Sequence, residues 1–314
     1  SLLALFDLVG QVIQAIPRDT IAVHYKQIFK FFLGAFDFRR LQRNTQSVAN
    51  IAAVEDAVIN AFMQLVMKLN ETLFKPLFLK SLDWAVTELQ VVKAAKEDCL
   101  DRLVFFYKLL DSLMDQLKSI ITPYYGYVID NVIEALTAFA DTEATGANAV
   151  NELWPWVMSS LHKSFLYDGE GLWSVERFEK LMRPLVNQLM VTETTTDEAA
   201  PEWSSYEKRV SNWLVPCIGQ IAVTLSNDAL WKSLNYQVLI KTREEDKAIR
   251  LAALRVVQEF YRRLGEEFLI LLPETIPFLA ELMEDDDHEV EALTQQVIAD
   301  IEGHLGGSLQ KYFH

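Results

Sequence analysis

Glycine and proline are scarce, at 11 and 9 residues in a chain of 314. Both interrupt regular structure, so their scarcity favours long helices over a turn-rich β-fold. Cysteine is scarcer still. Cys99 and Cys217 lie far apart, and neither has a CxxC or Cys/His neighbour, so no disulfide framework or zinc site is indicated and a reducing compartment fits. No uninterrupted apolar run approaches the roughly 18 residues that cross a bilayer. The opening SLLALFDLVGQVIQAIPRD shows neither a basic leader nor a cleavage site, so membrane and secreted classes are disfavoured. The chain starts at Ser1 inside a helix-like pattern, as a segment cut from a longer protein would.

Signatures of chemistry are missing too. GxSxG, GxxxxGK[ST] and GxGxxG do not occur, so hydrolase, phosphate-loop and dinucleotide readings have no support. None of His24, His162, His288, His304 and His314 has a partner at metal-ligand spacing or a nucleophile motif beside it. The expectation is a non-enzyme with no cofactor, no metal and no small-molecule substrate.

What the chain has is apolar mass: 51% apolar residues against 23% charged, enough for a large core. Apolar residues recur every three or four positions. Leu100, Leu103, Tyr107, Leu110, Met114, Leu117 and Ile121 form one stripe of about six turns. Leu269, Leu272, Ile276, Leu279 and Met283 form another. No period-two strand stands out, so the fold class is all-α.

The stretch DKAIRLAALRVVQEFYRRLG from Asp246 aligns without a gap on DHEVEALTQQVIADIEGHLG from Asp287, an offset of 41 residues. Ile249, Val256, Val257, Phe260, Leu264 and Gly265 fall on Val290, Val297, Ile298, Ile301, Leu305 and Gly306. That period belongs to HEAT or armadillo units, in which paired helices stack on their neighbours. Asp246 and Asp287 stand where N-caps belong, and each closing glycine suits the left-handed residue that ends a helix. Pro273 and Pro277 should bend or restart the first helix of the second unit. Similar prolines near the starts of TLFKPLFLKSLDWA, ITPYYGYVIDNVIEAL, LMRPLVNQLM and WLVPCIGQIAVTL extend the reading to an α-solenoid of roughly seven HEAT-like helical hairpins, some irregular.

Two stretches break the periodicity, ADTEATGANAVNE (140–152) and VTETTTDEAAPEWS (191–204). They are read as exposed mobile loops. They divide the chain into an N-terminal helical block at 1–140, a middle block at 141–204 and C-terminal HEAT repeats at 205–314.

Net charge is −15, unevenly spread: residues 1–80 carry +3 and the rest −18. Affinity for nucleic acid comes largely from cations displacing counterions on phosphate, so protein partners are expected and RNA contact should be indirect or weak. The basic stretch FDFRRLQRN (36–44), with Lys26 and Lys30 upstream, offers Arg39, Arg40 and Arg43 among phenylalanines. It reads as an RNA-contacting face or, more plainly, a solvated helix face over an aromatic core. Trp154 and Trp156 are core residues or a partner pocket. The acidic ELMEDDDHEVE (281–291) is a capped interhelical loop or a dock for a basic partner, and Asn70-Glu71-Thr72 matches the glycosylation sequon in form only. Arg250, four residues after Asp246, is assigned a structural Asp–Arg pair between adjacent units. Glu291 at the equivalent place of the next unit speaks against a repeated catalytic arginine.

LNETLFKPLFLKSLDWA (69–85), DRLVFFYKLLDSLMDQLK (101–118), LVPCIGQIAVTLSNDALWKSLNYQVLIKTR (214–243) and LLPETIPFLAELMEDDDHEVE (271–291), with LGGSLQKYF near the end, resemble a known family. It is that of U-three small nucleolar RNA-associated protein ten, the very large HEAT-repeat protein of the small-subunit processome; the resemblance is to its C-terminal region. The resemblance implies a nucleolar scaffold whose partners are protein subunits of the UtpA (t-UTP) subcomplex and the U-three snoRNP, acting in pre-rRNA transcription and 18S rRNA maturation. It implies no catalytic residues. Two other readings share the repeat pattern: an adaptor touching RNA through the basic N-terminal block, and a HEAT-type regulatory subunit of an enzyme or transport complex.

Overall fold

The computed structural model describes residues 1–95, 100–141, 147–192 and 205–313, with side chains at 88–95 and 147–151 left out of account. Cys99, residues 142–146 of the first expected loop and 193–204 of the second lie outside the described residues; most of what remains of the first is not loop, since Ala140 ends one helix and residues 147–152 begin another. Every regular element among the described residues is helical, and no strand occurs. Packing divides the chain into two compact units, which differ from the three sequence blocks. The first is Ser1–Ile121 joined by the stretch ending at Trp156, and the second takes Thr122 onward apart from that stretch.

In the first unit, α1 (Leu2–Ala15) is capped by the Ser1 hydroxyl and stops where Ile16, before Pro17, turns extended. Helix α2 (Arg18–Phe36) follows at once, and α3 (Phe38–Gln42) is a short turn after Asp37. Helix α4 (Val48–Val66) starts at a Ser47 cap. Helix α5 (Glu71–Ala95) carries Pro76 inside it and takes a hydrogen bond from the Leu73 amide to the Asn70 side chain, so the sequon asparagine acts as a cap. Helix α6 (Asp101–Leu117) buries Leu103, Tyr107, Leu110 and Met114 of the first stripe. The stripe does not run on as one helix to Ile121, because Lys118 takes a positive φ of 47° and turns the chain.

The core of this unit is aromatic. Phe36 lies 5.2 Å from Phe62, 4.6 Å from Phe105 and 5.8 Å from Trp84, centroid to centroid. Burying each such ring stabilises by about 1.5–3 kcal/mol, with offset and edge contacts adding to it. Helix α1 packs on α4, with Gly10 so near the Ala61 backbone that a Cβ there would sit 3.4 Å from it. By length and mean hydropathy α4 would suffice to cross a bilayer, which the search for uninterrupted runs missed. Its apolar side chains Val54, Val58, Phe62 and Leu65 are buried in the unit, and so is Glu55.

The second unit contains α7 (Ile129–Ala140), the latter half of α8 (Ala147–Leu166) and α9 (Val175–Val186). Pro184 falls near the end of α9 rather than near the start of a helix; a short 3-10 turn, Asn187–Met190, takes over after it. Helix α10 (Tyr206–Arg209) runs through a π turn into α11 (Val215–Thr224). Then come α12 (Asp228–Leu239), α13 (Lys247–Leu264), α14 (Leu272–Met283) and α15 (His288–Leu305).

The 41-residue offset appears here as stacking. Helix α12 packs on α14, α13 packs on α15, and α11 covers the other side of α13. The aligned helices match in detail. The Asp246 carboxylate accepts from the Ala248 amide at 2.8 Å, and Asp287 accepts from Glu289 at 2.9 Å and Val290 at 3.3 Å. Gly306 closes α15 in the expected left-handed region, with φ 71° and ψ 23°, which costs other residues about 1–2 kcal/mol; Gly265 closes α13 with a positive φ of 58° but a ψ of −131°, outside the left-handed helical region. Ile249, Val256 and Phe260 are buried, as are Val290, Val297 and Ile301. The stretch before α14 is a 3-10 helix, Gly265–Leu271, and Pro273 stands at the start of the α-helix, so it restarts the element, whereas Pro277 lies inside α14. These hairpins are HEAT-like, and the fold is all-α.

Candidate interaction surface

A binding surface must be built from side chains left over after the fold has used its own, so the charges of each unit decide what remains. In the first unit one arginine of the basic stretch that promised an RNA face, Arg39, is turned inward, while Arg40 and Arg43 stay exposed. Arg39, 9% exposed, forks onto Glu55 of α4, with contacts of 3.0 and 2.6 Å, and reaches Glu152 of α8 at 3.3 Å. Glu55 is 1% exposed. Burial works against the Arg39 guanidinium, but Glu55, Glu152 and Asp101 outweigh it and hold it above its ordinary pKa. Arg43 forks onto Asp101 at the head of α6 and also reaches Glu152 at 3.2 Å.

Lys108 completes the clasp. Its ammonium lies 2.9 Å from Asp56 and 3.6 Å from Glu55, donates to the Ala52 carbonyl, and sits 5.7 Å above the Trp156 ring. Trp156 is therefore half-buried under a lysine, and Trp154 is core at 4% exposure. Beside them Arg102 forks onto Asp37 at 2.8 and 3.0 Å over the face of Trp84. A charge as deep as Arg39 persists only when paired, so Arg39 is fastened to α4 and α8; Arg43 is tied to Asp101 of α6 and to Glu152 but stays exposed at the surface. Arg40 lies at the surface.

Lys26 and Lys30 differ. One helical turn apart on α2 and exposed, they join Lys80 of α5 around a cavity of about 490 Å³ that is also lined by Gln27, Phe29 and Leu33. Neither α2 lysine forms an ion pair among the described residues, and nor does Lys80. Lys80 was not foreseen, because α2 and α5 meet only in the folded unit.

In the second unit, charges tie one hairpin to the next. Arg250 pairs with Asp285 at 3.0 Å, and its other amino group donates to the Glu244 and Glu245 carbonyls. The assigned bond between units is therefore made to Asp285, and Asp246 instead caps its own helix. Lys247 reaches Asp287 at 3.0 Å and Glu289 at 3.4 Å. The hydrogen bond from Lys247, with the capped amides, holds the Asp287 carboxyl below its usual range. Arg243 forks onto Glu281 at 2.8 and 2.7 Å and stacks on Phe278; Arg262 meets Asp300 at 3.1 Å. The acidic tract 281–291 thus includes partners for Arg243, Lys247 and Arg250. Deeper in, the Thr275 hydroxyl receives hydrogen bonds from Asn235 and Tyr261, both 3.1 Å, and donates to the Leu271 carbonyl. Among the described residues no group of His, Cys, Asp and Glu is arranged to hold a metal.

The sequence model of the BP28CT (NUC211) domain matches residues 20–173, the stretch that holds the Arg39 clasp and the lysine cavity. The chain belongs to the family that carries this domain. It is 37% identical to human HEAT repeat-containing protein 1 over 310 residues, 96% of this chain and 14% of that protein. It is 36% identical to U3 small nucleolar RNA-associated protein 10 of Schizosaccharomyces pombe, over 99% of this chain and 17% of the relative. A homologue of HEAT repeat-containing protein 1 from Dictyostelium discoideum is 34% identical over 98% of this chain and 18% of its own length. The chain thus spans less than a fifth of these curated relatives.

Two substitutions separate fastening from binding. Arg39→Met, which leaves Glu55 buried beside Lys108 alone, should lower unfolding free energy by about 3 kcal/mol, and Arg39→Met/Glu55→Met should recover most of it; urea denaturation of the three proteins measures both. Arg250→Ala should cost about 1–3 kcal/mol in the same assay, and an unchanged midpoint would remove its role as a tie between hairpins.

Proposed function

We propose that this chain is a non-catalytic scaffold segment in ribosome biogenesis. It presents stacked helical hairpins to protein subunits of the UtpA (t-UTP) subcomplex and the U-three snoRNP, in the nucleolus, during pre-rRNA transcription and 18S rRNA maturation. The observation that carries the reading is similarity along nearly the full chain to proteins named for U3 small nucleolar RNA association. The physical arrangement agrees with it: hairpins that bury their stripes against neighbours leave a long outer surface for partners. Catalysis plays no part in the proposal, nor does a membrane or a small-molecule substrate.

The RNA-adaptor reading loses Arg39, which is buried against Glu55, and the exposed Arg43 is already paired with Asp101. With a net charge of −15 the chain also repels polyanions at long range. RNA contact is therefore indirect or weak in this proposal. The regulatory-subunit reading keeps only the repeat pattern that many HEAT proteins share.

Crosslinking followed by mass spectrometry on particles assembled around the full-length parent protein tests the proposal. Exposed lysines of this segment should crosslink to proteins of the early small-subunit particle, and deleting the segment should lower 18S rRNA. Crosslinks confined to enzymes or transport receptors outside the particle would contradict it.

A further inference from the structure

The lysine cavity of the first unit has no role in the fold. Lys26 and Lys30 project from α2 and Lys80 from α5; all three are exposed, and none is met by a carboxylate among the described residues. Lys247, Lys232 and Arg243 of the second unit, by contrast, each have acidic partners in a chain with 44 acids against 29 bases. Like charges gathered without counterions repel one another, and an acidic ligand would relieve that repulsion.

The ligand's class follows from the cavity's floor. Phe29 and Leu33 line it, but Phe29 is 3% exposed, so it offers an apolar wall and no free ring face for a base to stack on. The nearby exposed ring, Phe31, leans on Phe6 at 6.2 Å and does not line the cavity. Lysine ammoniums are point charges that attract carboxylate and phosphate alike, so the choice between an acidic peptide and a nucleic acid rests on the apolar wall and the missing ring face. Charge at the rim and an apolar wall below match a peptide with acidic side chains flanking a hydrophobic one.

We propose that the concavity lined by Lys26, Lys30, Lys80, Phe29 and Leu33 docks a short acidic peptide segment of a partner protein, with one apolar side chain inserted between the lysines. The proposal rests on the scaffold reading and adds to it one surface and the chemistry of what it takes.

Fluorescence anisotropy on the whole 314-residue chain tests it with two labelled probes: a twelve-residue Asp/Glu peptide with a central Leu, and an oligouridine of equal charge. The peptide should bind at low salt and weaken on adding salt. Lys26→Glu/Lys30→Glu/Lys80→Glu should weaken it at least about tenfold, with Lys26→Gln/Lys30→Gln/Lys80→Gln giving a smaller loss in the same direction at unchanged helical circular dichroism. Replacing the central Leu by Ala should weaken it about threefold or more. Failure of the peptide to bind, binding untouched by the triple variants, or oligouridine binding as tightly and lost with the same lysines would each overturn the proposal, the last by making the cavity a phosphate site. A dimer in sedimentation that the triple variants abolish would overturn it as well, by naming a second copy as the occupant. Particle crosslinks from lysines elsewhere in the segment do not depend on this cavity, so the scaffold reading fails or survives separately.

Discussion

Helix α13 is covered on one side by α11 and on the other by α15. An amphipathic helix with one apolar stripe can be satisfied by a single neighbour, but α13 buries Ile249, Ala252, Ala253, Val256, Val257, Phe260 and Tyr261, so more than one face must find company. Each hairpin therefore needs the next, and the second unit is stable as a stack rather than as separate pairs. The caps and closing glycines set where each helix begins and ends, and the equal lengths of α13 and α15, 18 residues each, keep the stripes in register.

Polar contacts fix what the apolar stripes leave adjustable. Apolar surfaces tolerate sliding, whereas a buried hydroxyl with donors on two sides does not. Thr275, fully buried, meets Asn235 from α12 and Tyr261 from α13, and so ties α12, α13 and α14 at one point. Arg250 with Asp285, and Lys247 with Asp287, repeat the arrangement nearer the surface. The first unit uses the same means: Glu55, among the buried apolar residues of α4, is held by Arg39 and Lys108 from two other helices. Such ions contribute little net stability when paired, and losing one partner is costly, so they serve mainly to exclude other packings of α4.

The all-α class, the 41-residue repeat, the N-caps and the closing glycines were legible because each is written locally, in periodicity and in residues whose backbone preferences act within a turn. The partners of the charged residues were not. Asp246 and Arg250 are four apart and looked like a couple, yet the Asp246 carboxylate accepts from the Ala248 amide at the head of α13 and leaves Arg250 to Asp285 in the next hairpin. The pairing of Arg39 and Arg43 was hidden because their acids, Glu55, Asp101 and Glu152, lie 16 to 113 residues away. Lys80 joins Lys26 and Lys30 only through the packing of α2 on α5. The end of α6 was missed for another reason: Lys118 adopts a positive φ that its side chain does not favour.

Native-state hydrogen exchange tests most directly whether the hairpins form one cooperative stack. Amides of α13, covered on two sides, should exchange only through the largest opening of the second unit, and Thr275→Val should lower protection of α12, α13 and α14 together. Loss of protection confined to α14, with α12 and α13 unchanged, would contradict a shared core and leave the hairpins as independent neighbours.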